Sequence, residues 1–120
     1  MKTILIADDM AFSRAIIKTF ISKLDIEVVG EAENGKDAVE KYKKLMPDIV
    51  TMDITMDGGD GIEALREIMQ YNPEAVVFII SSTGSQKYKI DETMELGAKK
   101  VFKKPIEKDE FIHEIKKYID

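Results

Sequence analysis

The sequence predicts an α/β fold: a single doubly wound sheet of five parallel strands in the order 2-1-3-4-5, with five helices shared between its two faces. Two observations carry the prediction. Short runs rich in Val and Ile alternate with longer segments whose apolar residues recur at helical spacing, which is the pattern of repeated βαβ units. The short runs also differ in charge. Three are almost purely apolar and two carry Glu or Lys, which separates strands covered on both faces from strands at an edge.

Taken in order, TILIA (3–7) is the first strand, followed by a helical stripe of Phe12, Ile16, Ile17, Phe20, Ile21 and Leu24. IEVVGEA (26–32) is the second strand, and Ala38, Val39, Tyr42 and Leu45 mark the second helix. DIVTM (48–52) precedes a third stripe of Ile62, Leu65, Ile68 and Met69. AVVFII (75–80) precedes a helix signalled by Ile90 and Met94. KKVFK (99–103) precedes the last, signalled by Phe111, Ile112, Ile115 and Ile119. Asn34-Gly35, Pro47-Asp48, Asn72-Pro73, Gly97 and Pro105 fall between these segments as turn and stop signals. Glu27 and Glu31 place the second strand at one edge, and Lys99, Lys100 and Lys103 place the fifth at the other. With right-handed crossovers the simplest order is 2-1-3-4-5, and the chain reverses direction between strands 1 and 3.

Composition narrows the function. A length of 120 residues suits one domain, 1–120. A net charge of -5 argues against a nucleic-acid grip, which needs a basic surface. The absence of cysteine removes thiolate chemistry and fits an intracellular protein. AVVFII is far short of the roughly 20 apolar residues of a membrane span, and the N-terminus turns acidic before a signal-like segment develops, so a cytoplasmic location is expected.

Open sheets of this kind bind ligands beyond the carboxyl ends of their strands, at the reversal. Asp8 and Asp9 stand there after strand 1, Asp53 after strand 3, Ser81 and Ser82 after strand 4, and Lys104 after strand 5. Three neighbouring carboxylates repel unless a cation offsets them. Mg²⁺, which takes one or two carboxylates together with waters and phosphate oxygens, suits Asp8, Asp9 and Asp53. Lys104 and a serine hydroxyl opposite would hold phosphoryl oxygens, and a carboxylate can itself become an acyl phosphate. Asp53 leaves a central strand most directly and is the expected phosphoacceptor, with Asp8 and Asp9 as metal ligands. A calcium loop starting at Asp53 fails, because Thr55 and Ala64 fall where that motif needs an acid or amide and a Glu.

The dipeptide Asp8-Asp9, DITM from Asp53, the Ser-rich end of strand 4, GAK at 97–99 and Lys104-Pro105 together resemble the receiver domains of two-component response regulators. EVVGEAENGKDAVEKYKKLMPDIVTMDITM (27–56) is most similar to the stand-alone chemotaxis regulators of the CheY type. The resemblance implies the flavodoxin-like topology, with the same 2-1-3-4-5 strand order. It implies phosphorylation of Asp53 by a histidine kinase, with Mg²⁺ held by Asp8, Asp9, Asp53 and the backbone carbonyl of Thr55. It implies phosphoryl contacts from Ser81 and Lys104, an output face including Lys99, Lys100, Val101 and Phe102, and a monomer that acts by binding a partner such as a flagellar motor switch protein. Such a protein catalyses only its own phosphorylation and dephosphorylation.

The chain departs from that family in three places. Asp57 stands where proline is usual, four residues after the acceptor, and Gly58-Gly59 follow it. Its extra charge and backbone freedom predict a 55–60 segment that orders when Mg²⁺ binds. Counting forward from Pro73 makes Ser81 the switch hydroxyl, whereas counting back from Lys104 makes it Ser82; Ser81 is preferred because loops accept insertions more easily than strands. Val101 replaces the usual aromatic three residues before the lysine, and Phe102 is expected on the opposite face. His113, the single histidine, lies far from the strand ends and is expected on the surface. The lysines at 87, 89, 99, 100, 103 and 108 concentrate positive charge that would suit an acidic partner segment.

Two other functions use similar parts. A phosphorelay intermediate would pass its phosphoryl group on to a second histidine. An Mg²⁺-dependent phosphatase of the haloacid dehalogenase type would need Asp-x-Asp after the first strand, where this chain has adjacent aspartates. A flavin site is disfavoured by the acidic loop after strand 1.

Overall fold

The computed structural model describes residues 1–56, 61–82 and 87–120. Five strands, β1 (Lys2–Ala7), β2 (Ile26–Ala32), β3 (Ile49–Asp53), β4 (Val77–Ser81) and β5 (Lys100–Lys103), form one parallel sheet in the order β2-β1-β3-β4-β5. Between and after them run α1 (Ala11–Phe20), α2 (Gly35–Leu45), α3 (Gly61–Tyr71), α4 (Lys87–Leu96) and α5 (Lys108–Ile119). The two charged strands lie at the edges, as their side chains require.

Alternation along each strand feeds two cores. Ile4, Ile6, Ile49, Phe78 and Ile80 pack with Ile17 and Ile21 from α1 and its C-terminal turn, and with Phe111 and Ile115 of α5. Leu5, Val50, Met52, Val77 and Ile79 pack with Val39 and Tyr42 of α2 and with Ile62, Leu65 and Ile68 of α3. Asn34 caps α2 by accepting a hydrogen bond from the Asp37 amide at 2.8 Å, and Glu107 caps α5 through the amides of Asp109 and Glu110. No helix among the described residues is long and apolar enough to cross a membrane.

Four details differ from the sequence reading. Ala75 and Val76 precede β4, because the Asn72-Pro73 turn is still closing there, with the Ala75 amide on the Asn72 carbonyl at 3.0 Å. The strand instead runs on to include Ser81, just as β3 includes Asp53. Phe12 belongs to the apolar stripe of α1 yet is 73% exposed, since the first turn of that helix projects past the core. Phe102 is 1% exposed, with its ring 5.8 Å from Phe78 and 5.2 Å from Phe111, so it cannot belong to an output face. Strand alternation turns it inward to the α1–α5 core, while Val101 is partly buried against the other core.

The edge pairing contains a bulge. Ile4 lies opposite Val28 and Leu5 opposite Gly30, so Val29 is an extra residue in β2. Beyond it the side-chain faces of β2 exchange. Val28 packs toward α1 before the bulge, and Ala32 toward α2 after it.

Candidate functional site

β1 and β3 end side by side, and their last residues bring the predicted acids together. Oxygens of Asp8, Asp9 and Asp53 lie within 4.8 Å of one another. Asp8 and Asp53 are each 1% exposed. The β1 end is held by a bond from the Asp8 amide to the Ala32 carbonyl at 2.9 Å, and the β3 end by the Ile54 amide on the Ile80 carbonyl at 3.1 Å. The first turn of α3 closes against β3 from behind. A Cβ on Gly61 would stand 2.2 Å from the Asp53 carbonyl oxygen and 2.6 Å from the Ile54 Cα, so only glycine permits this approach.

Lys104, just beyond β5, reaches into the cluster. Its Nζ donates to Asp53 Oδ2 at 2.8 Å, to Asp8 Oδ2 at 3.1 Å and to Ser13 Oγ at 3.4 Å. The other oxygen of Asp53 accepts from both the amide and the hydroxyl of Thr55, each at 2.7 Å. Asp8 Oδ1 accepts from the Met10 amide at 2.9 Å.

These contacts separate the two buried carboxylates electrically. Burial pushes Asp53 up, but the bond from Lys104 and the two from Thr55 outweigh it and hold Asp53 below the ordinary aspartate value. Burial raises Asp8 too. There the Met10 and Lys104 bonds do not fully offset burial and the neighbouring Asp53 charge, so Asp8 stays above the ordinary value. Burial would lower Lys104, yet its two carboxylate partners outweigh that and keep it charged. Of the two buried carboxylates, Asp53 is thus the one whose contacts favour the ionised form.

Of the predicted residues, Asp8, Asp9, Asp53 and Lys104 come together, and Thr55 leans onto Asp53 through its amide and hydroxyl. Ser81 is buried at the end of β4 and donates to the Ser82 carbonyl at 3.3 Å. Its own carbonyl accepts from the Lys104 amide at 2.8 Å, which ties the ends of β4 and β5 together. The expectations for Asp57, Gly58 and Gly59 lie outside the described residues. Lys99 is exposed, Lys100 partly so, and His113 is exposed on α5.

Sequence reasoning overlooked Ser13. One turn into α1, it faces the same amino group as the two aspartates, and a lone Ser in a helix carries no signal of such a contact. It also overlooked an apolar groove of about 630 Å³ that opens beside Lys104, lined by Phe12, Ile16, Phe20, Pro105 and Ile106. The exposed Phe12 forms part of its wall.

The match to known proteins follows this geometry. A family model for the response regulator receiver domain covers residues 4–116. The chain belongs to the response regulator receiver family. It is 47% identical to the chemotaxis protein CheY of Thermotoga maritima over 116 residues, 97% of this chain and 96% of that protein. It is 48% identical to the chemotaxis protein CheY of Bacillus subtilis, over 98% and 97% of the two chains. Among solved structures it resembles the CheX–CheY–BeF₃–Mg²⁺ complex of Borrelia burgdorferi, with a TM-score of 0.91, 29% identity and coverage of 99% and 90%. The receiver is thus of the chemotaxis CheY kind, a phosphorylation-activated signalling switch, and its acidic cluster is one that could hold a metal ion.

Proposed function

We propose that this receiver, spanning residues 1–120, accepts a phosphoryl group on Asp53 from a histidine kinase and then controls a partner by binding. The observation that carries the reading is the convergence of Asp8, Asp9 and Asp53 with Lys104 on one point. Hard carboxylate oxygens so close together fit Mg²⁺ by donor type and charge. Asp8, Asp9, Asp53 and the Thr55 carbonyl would hold it, and when bound it supplies positive charge for the phosphoryl oxygens.

The residues divide the work. An Asp53 oxygen, ionised and aimed by Lys104 and Thr55, forms a P–O bond to the incoming phosphorus as the P–N bond to the donor imidazole breaks. Lys104 shifts from the carboxylates onto a phosphoryl oxygen, and Ser81 turns its hydroxyl from the Ser82 carbonyl to another. Because Lys104 and Ser81 are joined through the backbone, both movements draw the ends of β4 and β5 toward Asp53. The exposed lysines at 87, 89 and 99, with Lys100 and Val101, form the surface that would report this to an acidic target. The flagellar motor switch is the target suggested by similarity to chemotaxis CheY proteins. The groove beside Lys104 gives an apolar foothold next to Asp53 for the kinase. The protein acts as a monomer in the cytoplasm and turns over no phosphate other than its own.

Incubation with a small-molecule phosphodonor and Mg²⁺, followed by intact-protein mass measurement, tests the assignment. The wild type should gain one phosphoryl group and Asp53→Asn none, because an amide keeps the shape but lacks the nucleophilic oxygen. Unchanged incorporation in Asp53→Asn would remove Asp53 from the mechanism.

A further inference from the structure

The acidic pair at the end of β1 is anchored by a residue that the reaction does not require as a ligand. Arg14, on α1, donates from Nη1 to the Asp8 carbonyl at 2.6 Å and from Nε to Glu31 Oε1 at 2.7 Å. Its side chain is 11% exposed, so the guanidinium is fixed by these partners and not spread in solvent. The carbonyl it grips belongs to the peptide that joins Asp8 to Asp9. The orientation of that peptide decides where Asp9 leaves the strand and therefore how the two carboxylates face Asp53.

Glu31 in turn is held from both sides of the sheet. Arg14 and Lys18 of α1 bind its carboxylate, the latter at 3.0 Å, and Lys41 of α2 donates to its carbonyl. Its direction depends on the bulge at Val29. Val28 packs toward α1, and in a regular strand residue 31 would then face α2. The extra residue exchanges the faces and turns Glu31 to α1, opposite Ile6, where Arg14 lies.

We propose that Arg14, aimed by Glu31, is a positioning residue for the cation site: it fixes the Asp8–Asp9 peptide so that three mutually repelling carboxylates stay convergent before any cation arrives. The fork geometry matters. Arginine can bind a carboxylate and a carbonyl at once in one plane, whereas a lysine provides a single point charge and cannot hold both at these angles. The inference rests on the function proposed above.

The test measures Mg²⁺ binding to the unphosphorylated protein by calorimetry, and amide hydrogen exchange without metal, for wild type, Arg14→Lys, Arg14→Gln, Glu31→Gln and the double variant Arg14→Gln/Glu31→Gln. Partners that orient metal ligands typically contribute about 10- to 100-fold in affinity. Arg14→Lys and Arg14→Gln should therefore weaken Mg²⁺ about tenfold or more, and Glu31→Gln should weaken it less. The double variant should bind no worse than Arg14→Gln alone, because Glu31 acts through Arg14. Amides at 9 and 10 should exchange faster without metal in each Arg14 variant, while protection of the β3 and β4 amides is unchanged. Wild-type affinity in Arg14→Lys overturns the inference, as does a loss accompanied by uniformly faster exchange, which would make Arg14 a structural residue only. A wild type that binds no Mg²⁺ would instead defeat the functional reading itself.

Discussion

β3 carries an aspartate at each end, and the two are used in opposite ways. Asp48, just before the strand, is exposed; its Oδ2 accepts from the amide and hydroxyl of Thr3 at 2.8 and 3.1 Å, and its amide bonds back to the Thr3 hydroxyl at 3.1 Å. Asp53, at the strand's C-terminal end, is buried beside two more carboxylates and a lysine. The first is a reciprocal clip between neighbouring strands, complete as it stands. The second is crowded with like charge that the Lys104 ammonium offsets. A carboxylate satisfied by neutral partners in water closes a structure, whereas one buried among its own kind is poised to receive something.

Four changes sharpen that contrast. The largest effect is expected from Asp9→Ala: unit charges 4 Å apart interact by roughly 4 kcal/mol at an effective dielectric of 20, so Mg²⁺ affinity should fall more than about tenfold in a titration, while Asp48→Ala leaves it unchanged. Lys104→Met leaves Asp8 and Asp53 without their cation. The metal-free protein should lose about 1–3 kcal/mol in urea unfolding, a discounted value for a partly exposed pair, and Mg²⁺ should recover part of it. Lys104→Met should still accept phosphate, but its binding to a target should not strengthen when it does. A phosphorylated Lys104→Met protein that binds as tightly as the phosphorylated wild type would refute the coupling.

At the opposite end of β3, Asp48→Ala should cost about 1 kcal/mol, the net worth of a hydrogen bond or two at an exposed site, with phosphorylation unaffected. The smallest effect concerns acid. Glu31 is held below its ordinary value of 4.5, first by the bond from Arg14 and then by that from Lys18. A depressed carboxylate stabilises the fold above the unfolded value and loses that contribution as pH falls through the folded one. Wild-type stability should therefore drop more steeply than that of Glu31→Gln below pH 4.5, by at most about 1 kcal/mol for so exposed a group. Parallel curves would show that Glu31 contributes nothing to stability.

The parts of the molecule that could be read in advance are those set by one-dimensional pattern. Strand order followed from where charge interrupts the apolar runs, and the acids converge because the ends of β1 and β3 meet at the reversal. Arg14 and Glu31 could not be paired that way. They are 17 residues apart and meet only because one extra residue in β2 changes which face Glu31 occupies. Phe12 shares the period of the α1 core residues, yet helical spacing does not record where the sheet beneath a helix stops. Ser81 was placed near Asp53 by its position after an apolar run, whereas the direction of its hydroxyl depends on the carbonyl of the next residue, which no pattern encodes.

The contact between Gly61 and the Asp53 carbonyl has a consequence for how this chain can vary. Ile54 and Gly61 lie almost at one point, the first fastened to β4 through its amide and the second opening a helix packed on the same sheet. Closing a loop costs little more when it is somewhat longer or differently composed. Exchanges and even insertions between those anchors can therefore accumulate while β3 stays where it is. A lineage can rewrite the sequence between those anchors without having to rebuild the strand end that carries Asp53.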